Sequence, residues 1–315
     1  MIQILGDLIA DISMRLPQFP VQAKDIHRLS YLEVGPGGAC NVAIMAAHFG
    51  MEVSCLGEVG DDSFGLVVRE GLRREGIQLD GLISTPEAKT PVAGVVVDRA
   101  GEPAYLGHPG SLQIKEIQKE WKVAIRKAEA LFADGWAEHD QVPAMILRAF
   151  EEAKEAGVPV FFDPGPGNPE VDSSWVKEAI ALSSVVLLNR SEAKGLLGVD
   201  KEEEMLTALL EMGPQLIVLK RGAEGLLLAR ENEWQEPPII DVPARDATGA
   251  GDSLAGAVLY GMLKDMNLGD LGLLANATGA AKVQKLGTGH NMPTMAEIRK
   301  VLEGEGLKAE DYLPD

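Results

Sequence analysis

The sequence predicts an α/β fold, with a mainly parallel sheet covered by helices and a small β-sheet lid. Along its 315 residues, short apolar runs alternate with longer segments of helical period, which is typical of parallel sheets. Two stretches, about 12–33 and 82–108, lack that period and carry proline or hairpin signals. Hydrophobic residues make up 46% and charged residues 24% of the chain, as in ordinary globular proteins. We therefore expect a large core and treat residues 1–315 as one domain.

Short runs rich in Val, Ile and Leu predict buried strands. They are Ile2–Leu5, Val53–Leu56, Ala130–Ala133, Val158–Phe162, Val185–Leu188, Leu216–Leu219 and Leu226–Ala229. Apolar residues that recur with the period of a helix predict the segments between them. These helices are Ala39–Phe49, Phe64–Arg74, Gln113–Lys127, Val142–Glu155, Lys201–Met212, Gly251–Leu263 and Asp270–Lys285.

The lid is predicted from two separated stretches of the chain. Val92–Val97, a turn at Asp98–Gly101 and Pro103–Leu106 read as a β-hairpin. Together with the stretch 12–33 it would lie over an edge of the sheet. There it would act as a lid or as a dimerisation surface.

The net charge and the cysteine content limit which binding partners and which cellular compartment we expect. The formal net charge is −19, and so acidic a surface repels nucleic acid and anionic membranes. The two cysteines, Cys40 and Cys55, are too few for a disulfide framework and favour a reducing compartment. No signal peptide is read, and no apolar run approaches the roughly 18 residues of a membrane span. We expect a cytoplasmic protein without nucleic acid or membrane partners.

The segment Asp246–Asp252, which reads D-A-T-G-A-G-D, carries the strongest chemical signal, and an apolar helix follows it. Gly249, Ala250 and Gly251 leave little side-chain bulk, so the backbone can approach a ligand closely. The free N–H groups of the helix N-terminus form an anion site. Asp252 stands beside that site as a candidate general base. A Gly-rich turn followed by an ordinary helix-start carboxylate is the alternative.

Residues 246–252 resemble the C-terminal motif D-T-x-G-A-G-D of the ribokinase-like (PfkB) carbohydrate kinase family, with Ala247 in place of the usual Thr or Pro. Residues 37–43, which read G-G-A-C-N-V-A, resemble the family's N-terminal motif G-G-x-x-N-x-A. The resemblance extends over almost the whole chain. It implies a ribokinase-like three-layer α/β/α sandwich with a mainly parallel central sheet.

The resemblance also implies which residues bind the substrate. They are Asp7 and Asp11 after the first strand, Gly37, Gly38 and Asn41 of the N-terminal motif, and Asp252. An Asp at the position of Asp11 bonds substrate hydroxyls in the family. Ile9 and Ala39 stand where ribokinase itself carries Asn and Lys, which argues against strict ribose specificity.

For the nucleotide, the resemblance implies ATP together with Mg²⁺. Asn189 and Glu192 match the family's N-x-x-E motif, and Glu192 would hold Mg²⁺ through water. The other implied nucleotide residues are Lys220, Gly222, Gly225, Thr248, Gly249, Gly251 and Asn276, with Lys220 in place of a Thr. Asp163 follows a strand where related kinases carry a phosphate loop, but the Asn usual in that loop is missing from its place.

A monovalent cation, K⁺, is implied as well. Its site would be built from Asp246 and Thr248 and from the later segment that contains Lys282, Lys285, Gly287 and Asn291. Carbonyl oxygens would supply most of the ligands.

The resemblance thus implies an ATP-dependent sugar kinase, a phosphotransferase acting on an alcohol group of a fructose- or ribose-like sugar. A nucleoside, or a keto-deoxy sugar acid held by Arg99, stays open as the substrate, as does a non-catalytic sensor of sugars or nucleotides. His108 is an alternative substrate contact. A homodimer through the lid is a family expectation. A dehydrogenase is excluded, because Gly6 is not followed by the glycines of a dinucleotide fingerprint.

Overall fold

The computed structural model describes residues 1–17, 21, 23–24, 26–136, 142–165 and 174–314. Parts of the predicted lid stretch 12–33 therefore lie outside the described residues. Within them no helix is long and apolar enough to cross a membrane.

The described residues form thirteen strands and ten α-helices. The strands are β1 Ile2–Leu5, β2 Leu8–Arg15, β3 Tyr31–Gly38, β4 Val53–Gly60, β5 Leu82–Thr85, β6 Val92–Val97, β7 Pro103–His108, β8 Ala130–Asp134, β9 Val160–Asp163, β10 Val185–Asn189, β11 Leu216–Lys220, β12 Leu226–Arg230 and β13 Glu233–Gln235. The helices are α1 Ala39–His48, α2 Ser63–Arg74, α3 Lys119–Arg126, α4 Val142–Ala156, α5 Ser174–Leu182, α6 Arg190–Leu197, α7 Glu202–Glu211, α8 Ala250–Leu263, α9 Leu268–Val283 and α10 Met295–Gly304.

Nine strands form one large sheet in the order β13-β12-β11-β10-β9-β8-β1-β4-β5. All neighbours pair in parallel except β11 with β12 and β12 with β13, which are antiparallel. Strands such as β8 and β10 are buried on both faces, which explains why they read as unbroken apolar runs. The predicted mainly parallel sheet is confirmed.

Two hydrophobic clusters lie on opposite faces of this sheet. Alternate residues of one strand enter different clusters: Phe132 packs with α1, α8 and α9, whereas Leu131 packs with α4 and α5. The side chains of both residues are almost completely buried. The three-layer α/β/α arrangement is therefore confirmed.

A separate four-stranded sheet has the order β3-β2-β6-β7. Its β6–β7 hairpin has the strands that the sequence predicted. The tip of the hairpin reaches the large domain, where the N–H of Ala247 donates to the carbonyl of Gly101 (3.0 Å). The segment Leu82–Thr85, predicted with the lid, instead pairs with β4 at the edge of the large sheet. The small sheet also takes in Leu8–Arg15, which begins before the predicted lid stretch.

Some helices differ from the prediction. Helices α5 and α10 were not read from the sequence. The predicted helix Gln113–Lys127 begins only at Lys119. The reason lies in the preceding loop, where the backbone N–H groups of Gln113 and Ile114 donate to the buried carboxylate of Glu58 (2.8 and 2.6 Å). Backbone groups bonded in this way do not enter a helical ladder.

The parallel strands bring polar residues to one edge. Asp134, Asp163, Asn189 and Lys220 are the last residues of β8, β9, β10 and β11. Because adjacent parallel strands end on the same side, these four side chains share the carboxyl edge of the sheet. Open α/β sheets bind their ligands at this edge.

The contact between α1 and α8 yields a stability prediction. A Cβ atom on Gly256 of α8 would lie 2.5 Å from Cβ of Met45, so Gly256→Ala should destabilise the fold by about 1–3 kcal/mol through overpacking. Gly279 of α9 has nothing within 4 Å of its Cβ position, so Gly279→Ala should stabilise the fold by about 0.5–1 kcal/mol. Urea unfolding of both variants measures the difference. Equal stability of the two would contradict the close helix contact.

Candidate active site

The segment before α8 forms a tight turn that opens the helix. Gly249 is the N-cap residue and has a left-handed backbone, with φ of 75°. A Cβ atom on it would lie 3.3 Å from both Cε of Lys282 and Cγ2 of Thr288. Both the backbone angle and the lack of space therefore favour glycine. The first turn of α8, which contains Asp252, presents helix N–H groups and the positive end of the helix dipole.

Asp252 is held in place by Asn41 of α1. Nδ2 of Asn41 donates to Oδ2 of Asp252 (2.8 Å). Oδ1 of the same side chain accepts from the N–H of Gly289 (2.9 Å). Asn41 is 2% exposed, so its amide serves two protein partners in a buried position. The sequence placed Asn41 against the substrate, but the structure shows it joining α1, α8 and the loop after α9.

The ionisation of Asp252 is shifted toward neutral pH. Burial is the main cause and raises its pKa from 3.8 to about 6, while the hydrogen bond from Asn41 acts in the opposite direction. Such a carboxylate is largely ionised at pH 7, yet it is a stronger base than an exposed Asp. These properties suit a general base.

Asp11 lies on strand β2 of the small sheet. Its Oδ2 accepts from the hydroxyl of Thr288 (2.6 Å), and burial raises its pKa to about 7. A Cβ atom on Gly37 would lie 2.1 Å from Cγ of Asp11, so glycine makes the room that this carboxylate occupies. A Cβ atom on Gly38 would lie 2.2 Å from the carbonyl oxygen of Asp7. The two glycines thus permit close packing between β2 and β3.

Asp134, at the end of β8, was missed by the sequence analysis. It is 7% exposed, and its Oδ1 accepts from the N–H of Asp7 (3.1 Å). A Cβ atom on Gly6 would lie 2.8 Å from the same oxygen. A cavity of about 410 Å³ opens beside these residues, lined also by Trp121 and Met145. The available signal was an acidic residue directly after a buried apolar run.

Lys220 forms a charged cluster with two carboxylates at the ends of the central strands. Its Nζ lies 2.5 Å from Oδ2 of Asp163. Burial alone would lower its pKa, but the nearby carboxylates of Asp163 and Glu192 outweigh that effect and raise it. A Cβ atom on Gly251 would lie 3.5 Å from this Nζ, which places the ammonium group at the N-terminus of α8. The Lys220 ammonium therefore brings a positive charge to the N-terminus of α8, although the two carboxylates offset it.

Asn189 and Glu192 form a capping box at the start of α6. The N–H of Glu192 donates to Oδ1 of Asn189 (2.9 Å), and the N–H of Asn189 donates to Oε2 of Glu192 (2.6 Å). Burial raises the pKa of Glu192 above its ordinary value, although Lys220 opposes the shift. These carboxylate oxygens and those of Asp163 suit the preference of Mg²⁺ for oxygen ligands.

The structure brings Asn276 of α9 beside the Gly222–Gly225 turn. A Cβ atom on Gly225 would lie 3.4 Å from Nδ2 of Asn276. That Nδ2 donates to the carbonyl of Pro238 (2.9 Å), and Ile239 adjoins the same spot. Residues far apart in sequence thus form one wall, as the implied nucleotide site requires.

Several side chains implied for a monovalent cation already have partners within the protein. Oδ1 and Oδ2 of Asp246 accept from the N–H groups of Thr248 (2.9 Å) and Gly287 (2.7 Å). The Lys282 side chain already brings an ammonium group to this place. A second cation beside that group would be repelled.

Two further members of the implied cation set have other partners. Nζ of Lys285 bonds the carbonyl of Met292 (3.3 Å) and the carboxylate of Glu297 (2.8 Å). Nδ2 of Asn291 donates to the hydroxyl of Tyr31 (3.1 Å) on β3. Asn291 therefore joins the loop after α9 to the small sheet.

Two aromatic rings lie at the cleft between the sheets. Tyr105 on β7 and Trp136 after β8 have centroids 6.3 Å apart, and both rings are half-exposed. Burial of its hydroxyl end and the charges of Asp252 and Asp11 raise the pKa of Tyr105. His108 and Arg99 are exposed residues at the end of β7 and in the hairpin turn.

The buried carboxylate of Asp134 predicts a pH-dependent stability. Burial raises its pKa from 3.8 to about 7, so its stabilising contribution is complete below pH 3.8 and is lost as the pH rises through 7. The neutral substitution Asp134→Asn should therefore raise the melting temperature at pH 8 more than at pH 4.

Asp62 is the matched control for this prediction. Its pKa is lowered by hydrogen bonds from Gly65 and Thr90, which outweigh the opposing effect of burial. Asp62→Asn should thus cost more stability at pH 8 than at low pH, the opposite sign. Thermal unfolding of both variants at several pH values tests these predictions. If the change in melting temperature varied with pH in the same direction for both variants, the pKa shift assigned to Asp134 would be contradicted.

Known proteins resemble the chain over most of its length. The family model described as pfkB family carbohydrate kinase matches residues 1–295. An ATP-dependent ribose-1-phosphate kinase of Halopiger xanaduensis is 29% identical over 96% of this chain and 98% of that protein. Fructokinase-1 of Zea mays is 30% identical over 85% of this chain and 88% of that protein. The solved structure of Arabidopsis thaliana ribokinase with ribose and ATP superposes with a TM-score of 0.79 at 22% identity, covering 96% and 98% of the two chains.

Proposed function

The chain belongs to the pfkB family of carbohydrate kinases, and from that premise we propose that it transfers the γ-phosphoryl group of ATP to a hydroxyl of a small neutral sugar. One observation carries the proposal. Asp252 lies in the first turn of α8 with a pKa near 6, fixed by Asn41 beside a helix N-terminus. A base and an anion site therefore adjoin each other.

In the proposed reaction Asp252 takes the proton of the acceptor hydroxyl. The oxygen then forms a bond to the γ-phosphorus as the bond to the ADP oxygen breaks in line with it. The N–H groups of Gly249, Gly251 and Asp252 and the Lys220 ammonium stabilise charge on the transferred group, whereas the N–H of Ala250 donates to the carbonyl of Ala247 (3.2 Å). Asp11 orients the sugar hydroxyls from the other side.

The nucleotide would lie along the carboxyl edge of the sheet. Gly222, Gly225 and Asn276 would border the adenine, and Thr248 the phosphates. Mg²⁺, held through water by Glu192, would neutralise phosphate charge. The lid would cover the sugar and exclude water, which competes as acceptor.

A nucleoside is the second candidate substrate. Its support is the pair Tyr105 and Trp136, whose rings could stack on a base. A nucleoside kinase of Methanothermobacter thermautotrophicus is 27% identical to this chain, over 94% of its length. A keto-deoxy sugar acid is less well supported, because Arg99, its candidate clamp, is exposed in the hairpin turn. A sensor without catalysis would not need Asp252.

Location and assembly follow by inference. Cys40 and Cys55 are free and buried, which supports a reducing, cytoplasmic compartment. Leu32, Val34 and Leu106 are exposed on the small sheet and support a homodimer through the lid.

A substrate panel tests the proposal. ATP is incubated with neutral sugars, nucleosides and sugar acids, and the phosphorylated product is followed by ³¹P NMR. Parallel thermal unfolding reports binding, since a ligand well above its Kd stabilises the fold by a few kcal/mol. A phosphorylated neutral sugar is expected. Binding without a phosphorylated product would support the sensor instead.

The base assignment predicts the effect of Asp252→Asn. Loss of the base should lower kcat by on the order of 10² or more, with little change in ATP binding. Asp270→Asn, in the first turn of α9, is a matched control and should leave kcat unchanged. Steady-state kinetics measure both. Near wild-type kcat in Asp252→Asn would exclude this residue as the base.

The pKa of Asp252 predicts the pH profile. The ionised form of Asp252 is the base. We therefore expect kcat to reach its plateau above this pKa and to fall as the pH drops through about 6. Asn41→Ala removes a donor to that ionised form, raises the pKa and should move the acid limb to higher pH. Asn267→Ala removes a comparable Asn–Asp bond (2.6 Å) at α9 and should leave the limb in place. If the acid limb of the pH profile did not move in Asn41→Ala, the effect of the Asn41 hydrogen bond on the pKa of Asp252 would be contradicted.

A further inference from the structure

Lys282 is a buried lysine whose ammonium group has no hydrogen-bond partner within the described residues. Its side chain is 0% exposed, and it lies near the end of α9 in an otherwise apolar stretch. Nζ itself is inaccessible and unbonded. Leaving such a group unsatisfied is costly, so its retention calls for an electrostatic reason.

The side chain of Lys282 runs to the turn that opens α8. Its Cε would lie 3.3 Å from a Cβ atom on Gly249. Cγ2 of Thr288 and Sδ of Met292 border the same point, at 3.3 and 3.4 Å. The lysine stem is therefore enclosed behind the segment that forms the anion site.

Two carboxylates act on the ammonium group through space, without a direct ion pair. Asp246 is 1% exposed and acts with Asp252 to raise the pKa of Lys282, against the larger opposing effect of burial. The resulting pKa, about 8, leaves the group charged at neutral pH. Buried carboxylates need a compensating positive charge.

Lys220, a partly buried lysine at the carboxyl edge of the sheet, already has its own partners. Its ammonium bonds Asp163 and is balanced by Glu192. The two carboxylate oxygens of Asp246 accept hydrogen bonds from the N–H groups of Thr248 and Gly287. Because both donors are neutral, the negative charge of Asp246 must be balanced by a positive group that does not bond it directly. Lys282 is placed to balance it.

We propose that the Lys282 ammonium is a built-in monovalent cation, which neutralises Asp246 behind the anion site and makes the chain independent of potassium. Its effect on catalysis rests on the proposed kinase function, whereas its effect on cation binding does not. The charge is delivered by a side chain fixed in α9, so it is present at every turnover. The site takes no free cation while that side chain fills it.

The wild-type protein gives the first test. Its kcat and melting temperature are measured in KCl and in tetramethylammonium chloride at equal ionic strength, because the larger cation cannot enter a buried site. Both quantities should be the same in the two salts. A specific rise of either in KCl would overturn the proposal.

The variant Lys282→Met gives the second test. Methionine keeps the apolar stem but removes the charge, so kcat in tetramethylammonium chloride should fall by on the order of 10². KCl should then raise both kcat and the melting temperature, because K⁺ can occupy the vacated place. Lys300→Met, on the exposed face of α10, is the control and should match the wild type in both salts.

The readouts separate this inference from the proposed function. Thermal unfolding in the two salts needs no activity, so absence of kinase turnover leaves the cation test intact. If Lys282→Met does not fold, the comparison of the wild-type protein in the two salts still tests whether it responds to potassium. A folded Lys282→Met that keeps wild-type kcat in tetramethylammonium chloride, with no response to KCl, would overturn the role of the ammonium.

Discussion

The arrangement of the site depends on the two hydrogen bonds of Asn41. One bond fixes the carboxylate of Asp252, and the other holds the N–H of Gly289. Helix α1, helix α8 and the loop after α9 are thereby locked together at a buried point. Because an Asn amide has a donor and an acceptor on one rigid plane, it can serve both partners at once. The candidate base Asp252, the start of α8 and the loop after α9 are consequently positioned as one unit.

The same region concentrates negative charge away from water. Asp11, Asp134 and Asp246 are each less than 9% exposed, and Asp252 is partly buried. Burial raises the pKa values of Asp11, Asp134 and Asp252 to between about 6 and 7. Such a cluster is costly to fold but suits proton transfer near neutral pH. Function here is gained at the expense of stability.

Much of the large domain could be predicted from the sequence, because its information is local. A strand buried on both faces reads as an apolar run, and a Gly-rich segment before an apolar helix reads as a helix start. The small sheet was harder, because Leu8–Arg15 follows β1 almost directly and lacks a clear turn signal. The capping role of Asn189 and Glu192 at the start of α6 was not read from the sequence, which indicated only ligand roles for these two residues.

The sequence by itself determined the family, most strands of the large sheet and the candidacy of Asp252, because apolar runs and motifs with fixed spacing carry that information. Only the tertiary structure decided that Asn41 bonds Asp252, that Lys220 pairs with Asp163 and that Lys282 is buried without a partner. Each of these contacts joins elements distant along the chain. Their geometry depends on how helices α1, α8 and α9 pack against the sheet, which local patterns do not encode.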